Sequence, residues 1–227
     1  MDLQLTSDPS LQALAAPRPG ISDLPEGERL NTLTHLAGLA LALGASAFLI
    51  TRAAQGGELL RILSASVFGF AMIALYAAST VFHGLRGPAK ERWAKADHCA
   101  IYVLIAGTYT PFTLVTLHGP LGWSLLGFVW CLATLGIGKE LWWDRHALPA
   151  VPLYLLMGWC GLAAAGPLVR KLGSQGSLSL LAGCLCYSIG LVFYLLGRRL
   201  RHAHGIWHLF VLGGTASHFI TVLKVLG

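Results

Sequence analysis

Stretches without Lys, Arg, Asp or Glu divide this chain more sharply than any motif does. They cover residues 30–51, 62–85, 98–138, 146–169, 172–197 and 202–223. At 1.5 Å per residue, each is long enough to cross about 30 Å of hydrocarbon as a helix. The third stretch holds two helices, because His118-Gly119-Pro120-Leu121-Gly122 near its middle has the composition of a tight turn. Seven membrane spans are therefore expected. Within the third, Tyr109-Thr110-Pro111 predicts a kink, since proline removes one backbone bond and its ring clashes with the preceding turn.

Composition agrees with this pattern. At 55% hydrophobic and 11% charged residues with a mean hydropathy of +0.65, the chain has too little polar surface for a water-soluble globule. It reads as an all-α integral membrane protein. Residues 1–28, rich in Pro, Ser, Asp and Glu and without the basic start and apolar core of a signal peptide, read as a short tail, and 29–227 as one helix bundle. Cys99, Cys131, Cys160, Cys184 and Cys186 sit in apolar runs at no metal-ligand spacing, so they read as small packing residues.

The net charge of +6 reflects insertion and gives no reason to expect nucleic acid as a partner. With the N-terminus inside, Arg52, Arg61, Arg170, Lys171 and Lys224 fall outside, and the other eleven of the 16 basic residues face the cytoplasm. That excess places the tail in the cytoplasm and the C-terminus outside.

The topology gathers polar side chains at one depth. His204 and His208 are four residues apart at the start of the last span, one above the other on a helical face, which is the spacing of two imidazoles on one metal ion. Ser79 and His83 share a face at the cytoplasmic end of span 2, and Asp97-His98 opens span 3. Three neutral imidazoles, His83, His204 and His208, would leave zinc one open position, as catalytic sites do. Zinc lowers the pKa of a bound water to about 7. Asp97 could then orient or deprotonate that water, and Ser79 could hydrogen-bond it or a developing oxyanion.

Plainer readings stand beside these. Asp97 can be a charged cap at a helix start, and Ser79 a hydroxyl bonded to its own helix. His218 lies ten residues past His208, about 15 Å along the helix, too far to share the metal. It reads as an interhelical hydrogen-bond partner or a cavity-lining residue. His35, with Asn31 and Thr34, is at the right depth to support the metal ligands but reads first as an interfacial histidine, as do His98, His118, His146 and His202.

Taken in order, Glu28-x2-Asn31-x2-Thr34-His35, Ser79-x3-His83, Asp97, Gly107-Thr108-Tyr109-Thr110-Pro111-Phe112 and His204-x3-His208 with His218 resemble the hemolysin III family, the bacterial branch of the progestin and adipoQ receptor superfamily. The resemblance spans roughly residues 26–227. It implies seven spans, a cytoplasmic N-terminus, the inner membrane of a bacterium, and a zinc site toward the cytoplasm. In the superfamily's adiponectin receptors, the positions matching His83, His204 and His208 bind zinc, and that matching Asp97 lies beside the metal's water. Alkaline ceramidases are similar in arrangement, which suggests hydrolysis of a lipid amide. The long cytoplasmic extension of the animal receptors is missing here, and no domain is evident for a protein hormone.

Three functions remain open on the sequence. The first is zinc-dependent hydrolysis of a lipid amide or ester that reaches the site from the membrane. A second is a non-enzymatic, haemolysin-like effect on membrane permeability or lipid homeostasis, with zinc as a structural tie. Transport is the third, supported by His218 and by the glycines and prolines within the spans, but without an inverted repeat or a buried acidic pair.

Overall fold

The computed structural model describes residues 24, 26–142, 150–197 and 199–226. The expected tail falls almost wholly outside them, as do His146, Arg145 and Arg198. The described chain is helical: α1 Glu26–Gly56, α2 Leu59–Gly84, α3 Pro88–Pro111, α4 Gly119–Trp142, α5 Val151–Trp159, α6 Ala165–Leu196 and α7 Ala203–Leu226. A π-helical turn, Phe112–Leu117, extends α3, and a 3-10 turn, Cys160–Ala164, joins α5 to α6. No strand occurs among the described residues.

Among the described residues six stretches are long and apolar enough to cross a membrane, one fewer than the sequence pattern predicts. The difference lies at 146–169 and 172–197, which merge into one helical stretch, Val151–Leu196, of 46 residues. Helical bonding runs on past the Arg170-Lys171 pair that separates the two apolar runs, but it is broken in conformation at Gly173, whose φ of 67° and ψ of −178° no helix contains. Residues with a Cβ rarely adopt this backbone, so the chain changes direction on a glycine.

The predicted interruption of the third apolar run is present. Pro111 cannot donate to the carbonyl four residues back, and the helix resolves this by widening into the π turn that begins at Phe112. His118, at φ 50°, ends the turn by donating its N–H to Thr113 O (3.1 Å), and Gly119 at φ 76° starts α4.

α3 is the hub of the bundle: 72% of the apolar window of Pro88–Leu117 is buried, against 17% for Val151–Leu196. Large side chains such as Leu41, Phe70 and Leu178 point outward, which suits a chain whose outer solvent is hydrocarbon. Interhelical hydrogen bonds hold the interior. Tyr76 of α2 donates to Thr215 Oγ1 of α7 at 2.9 Å, and Tyr187 Oη of α6 lies 2.8 Å from the same hydroxyl. These bonds fix α7 against α2 one side of the histidine cluster. All five cysteines are free.

Candidate metal centre

α2 delivers His83 in its last turn, and α7 delivers His204 and His208 in its first two. The three rings form a near-equilateral triangle: centroid separations are 5.0 Å for His83–His204, 4.9 Å for His83–His208 and 4.8 Å for His204–His208. One ligand atom from each lies within 4.8 Å of the other two. His83 and His208 are buried, and His204 is half-buried.

The outer nitrogens are already engaged. His83 Nδ1 is 2.6 Å from Glu28 Oε2, and a carboxylate only accepts, so Nδ1 carries the proton. Lys90 Nζ donates to the other oxygen of Glu28 at 3.0 Å. His208 Nδ1 lies 3.2 Å from the carbonyl oxygen of Asn31, again an acceptor, and 3.3 Å from Thr34 Oγ1. Both rings are thereby set in the tautomer that leaves Nε2 with its lone pair. His83 Nε2 and His204 Nε2 are buried without a hydrogen-bond partner, an arrangement costly for polar atoms unless a cation takes the lone pairs. The donor set fits a divalent metal favouring imidazole, zinc included.

The sequence reading left Glu28 and Asn31 without roles of their own at this centre, yet a signal was present. Residues 28, 31 and 35 fall at i, i+3 and i+7, one helical face, on which the only acidic residue of the face is Glu28. His35, read as interfacial, is instead buried and stacks on His208, with centroids 3.6 Å apart and planes 11° apart, while Tyr76 meets its edge.

Asp97 is not at a helix start. α3 begins at Pro88, so Asp97 lies in its third turn, buried, with His83, His98 and Ser79 as neighbours. Ser79 is buried too, and its hydroxyl faces the Asp97 carboxyl, with no hydrogen bond to its own helix among the described residues. His218 stands apart from the triangle: its Nε2 donates to Leu180 O of α6 at 3.2 Å, and its ring packs so closely on Gly183 that a Cβ there would clash with it. It also lines the cavity described next, so both roles expected of it are present.

A cavity of about 1230 Å³ runs from this cluster into the bundle. Asp97, Ser79 and the three histidines line one end, and Leu162, Val169 and Leu178, all exposed on the outer surface, line the wall formed by 151–196. The space is mostly apolar and holds a concentrated set of polar groups at the histidine cluster, the form of a site for a ligand with an apolar body and a polar group.

The family model described as "Haemolysin-III related" matches residues 25–219. The chain is 43% identical over 198 residues to Hemolysin-3 of Bacillus cereus, covering 86% of this chain and 90% of that protein. It is 42% identical over 198 residues to the Hemolysin-3 homolog of Bacillus subtilis (strain 168), covering 86% and 92%. The Monocyte to macrophage differentiation factor of Homo sapiens is 32% identical over 196 residues, covering 79% of this chain and 81% of that one.

Proposed function

Because this chain belongs to the haemolysin-III-related family, we propose that it is a zinc-dependent hydrolase of a lipid amide or ester, working within the inner membrane of a bacterium. One observation carries the reading: three imidazoles from two helices offer converging nitrogens, two of which are buried without partners, and among the described residues no fourth protein ligand joins them in the cluster. A closed structural site would need that fourth ligand. His83, His204 and His208 would hold the metal, which when bound supplies Lewis acidity and a water acidified toward neutral pH.

The chain's own residues do the rest. Glu28, the Asn31 carbonyl and the stacked His35 hold the ligand rings in orientation. Asp97, buried beside His83, takes a proton from the attacking water, and the Ser79 hydroxyl beside it donates a hydrogen bond to the oxygen that gains charge on the substrate carbonyl. The apolar cavity accepts the lipid chains and keeps bulk water away from the carbonyl.

This reading carries a topology. Unbroken, a helix of 46 residues would reach about 69 Å, more than twice the hydrocarbon thickness. The turn at Gly173 supports two spans in its place, making seven, with the N-terminus in the cytoplasm and the C-terminus outside.

The names of the Bacillus relatives favour a second reading, a haemolysin-like effect on membrane permeability with zinc tying α2 to α7. Metal analysis of the purified protein, together with turnover of ceramide-like amides and phospholipid esters in vesicles, separates the two. Bound zinc with turnover of either lipid class is expected. Bound zinc with no turnover of any such lipid removes the hydrolase reading.

A further inference from the structure

A second polar cluster shares the cavity wall with the histidine triangle. Glu140 of α4 is a carboxylate only 1% exposed, an expensive group to bury unless it is paired. Its Oε1 accepts from Lys139 Nζ at 3.0 Å, and its Oε2 lies 3.4 Å from His98 Nδ1. Tyr154 Oη donates to the backbone carbonyl of His98 at 3.3 Å, which holds α3 at this point against α5. Both His98 and Glu140 line the cavity, and His98 follows Asp97 directly on α3.

The chemistry of the pair is directional. Glu140 can only accept, so the His98 proton sits on Nδ1 and the lone pair on Nε2. A carboxylate holding one ring nitrogen and stabilising the imidazolium when the other takes a proton is the arrangement that makes histidine a proton carrier in acyl transfer. Nothing in the metal centre uses this pair. Around the pair stand Asp97, Lys139, Cys99, Tyr102 and Tyr154 and, further along, His204.

We propose that His98, positioned by Glu140, protonates the leaving group of the lipid, which makes the protein suited to amides, whose amine must leave with a proton. The proposal rests on the hydrolase reading. The proton that Asp97 draws from the attacking water is relayed to His98 Nε2. A C–O bond forms between that water oxygen and the carbonyl carbon. As the C–N bond breaks, the electron pair goes to nitrogen, which takes the proton from Nε2. The products are a fatty acid and an amine, and His98 returns to its Nδ1–H form.

The test compares the full-length protein with His98→Gln and Glu140→Gln in vesicles, all at matched zinc content and melting temperature. Two substrates are used, a long-chain N-acyl amide and an activated p-nitrophenyl ester of the same acyl chain, whose leaving group needs no proton. The amide-to-ester rate ratio should fall by about 10²-fold or more in His98→Gln, the share general acids usually supply, and less in Glu140→Gln. In ¹⁵N-histidine-labelled wild type, the resonance lost in His98→Gln should report an Nδ1–H ring. Turnover with an unchanged ratio, or an Nε2–H ring, overturns the role of His98 while leaving the hydrolase standing. Absence of turnover of both substrates by wild type overturns the hydrolase reading and this role with it.

Discussion

Glu28 and His83 are 55 positions apart in sequence, and Glu28 Oε2 lies 2.6 Å from His83 Nδ1. With Lys90 on the other oxygen, the carboxylate ties the first turn of α1 to the end of α2 and the start of α3. It also decides which nitrogen of His83 is free. Glu28→Ala should therefore weaken zinc binding by about 10- to 100-fold, as loss of a group that orients a metal ligand usually does. Glu28→Gln, which keeps an acceptor, should weaken it less. Competition with a chromophoric chelator measures both. Equal affinity in Glu28→Ala and wild type would show that the pair does not orient the ligand.

The triangle itself predicts a contrast within α7. His83→Ala, His204→Ala and His208→Ala should each lose most of the bound metal. His218→Ala should keep it, because His218 bonds to Leu180 O and belongs to another part of the cavity. Inductively coupled plasma analysis of the purified variants decides the matter, and metal loss in His218→Ala matching that in His208→Ala would mean the wrong histidines are assigned.

Asp97→Asn separates catalysis from structure. The change preserves size and hydrogen bonding, so zinc content and melting temperature should hold while lipid-amide turnover falls by about 10²- to 10⁴-fold. If Asp97 were instead a structural tie, occupancy and melting temperature would drop together.

Topology can be tested independently of chemistry. A reporter fused after Gly227 should be active only outside the cytoplasm. Replacing Gly173 by Ala should lower stability by about 1–3 kcal/mol, because alanine resists φ 67°, and should be seen as a lower melting temperature. A cytoplasmic C-terminus would mean an even number of spans and would undo the two-span reading of 151–196.

Residue type and spacing alone were enough to establish that the chain is a helical membrane protein, because hydrocarbon tolerates no unpaired backbone and the charge-free runs have the length a bilayer requires. They also pointed to His83, His204, His208, Ser79 and Asp97, since i,i+4 spacing and loop charge bring these residues to one depth without knowledge of packing. The turn at His118-Gly119 was legible for a similar reason: its cause is local.

What packing decided lay beyond any pattern along the chain. The pairing of Glu28 with His83 and of Glu140 with His98 joins residues on different helices, and a lone acidic residue at the end of an apolar run looks the same whether it faces water or a buried ring. The burial of His35 against His208 depends on how α1 and α7 are rotated about their axes. The break within 151–196 rests on one backbone conformation at Gly173, a residue whose conformational freedom makes it compatible with a break or with a helix until its neighbours choose. Depth along a helix follows from sequence, because the rise per residue is constant. Which side chains meet across the bundle follows only from the tertiary fit.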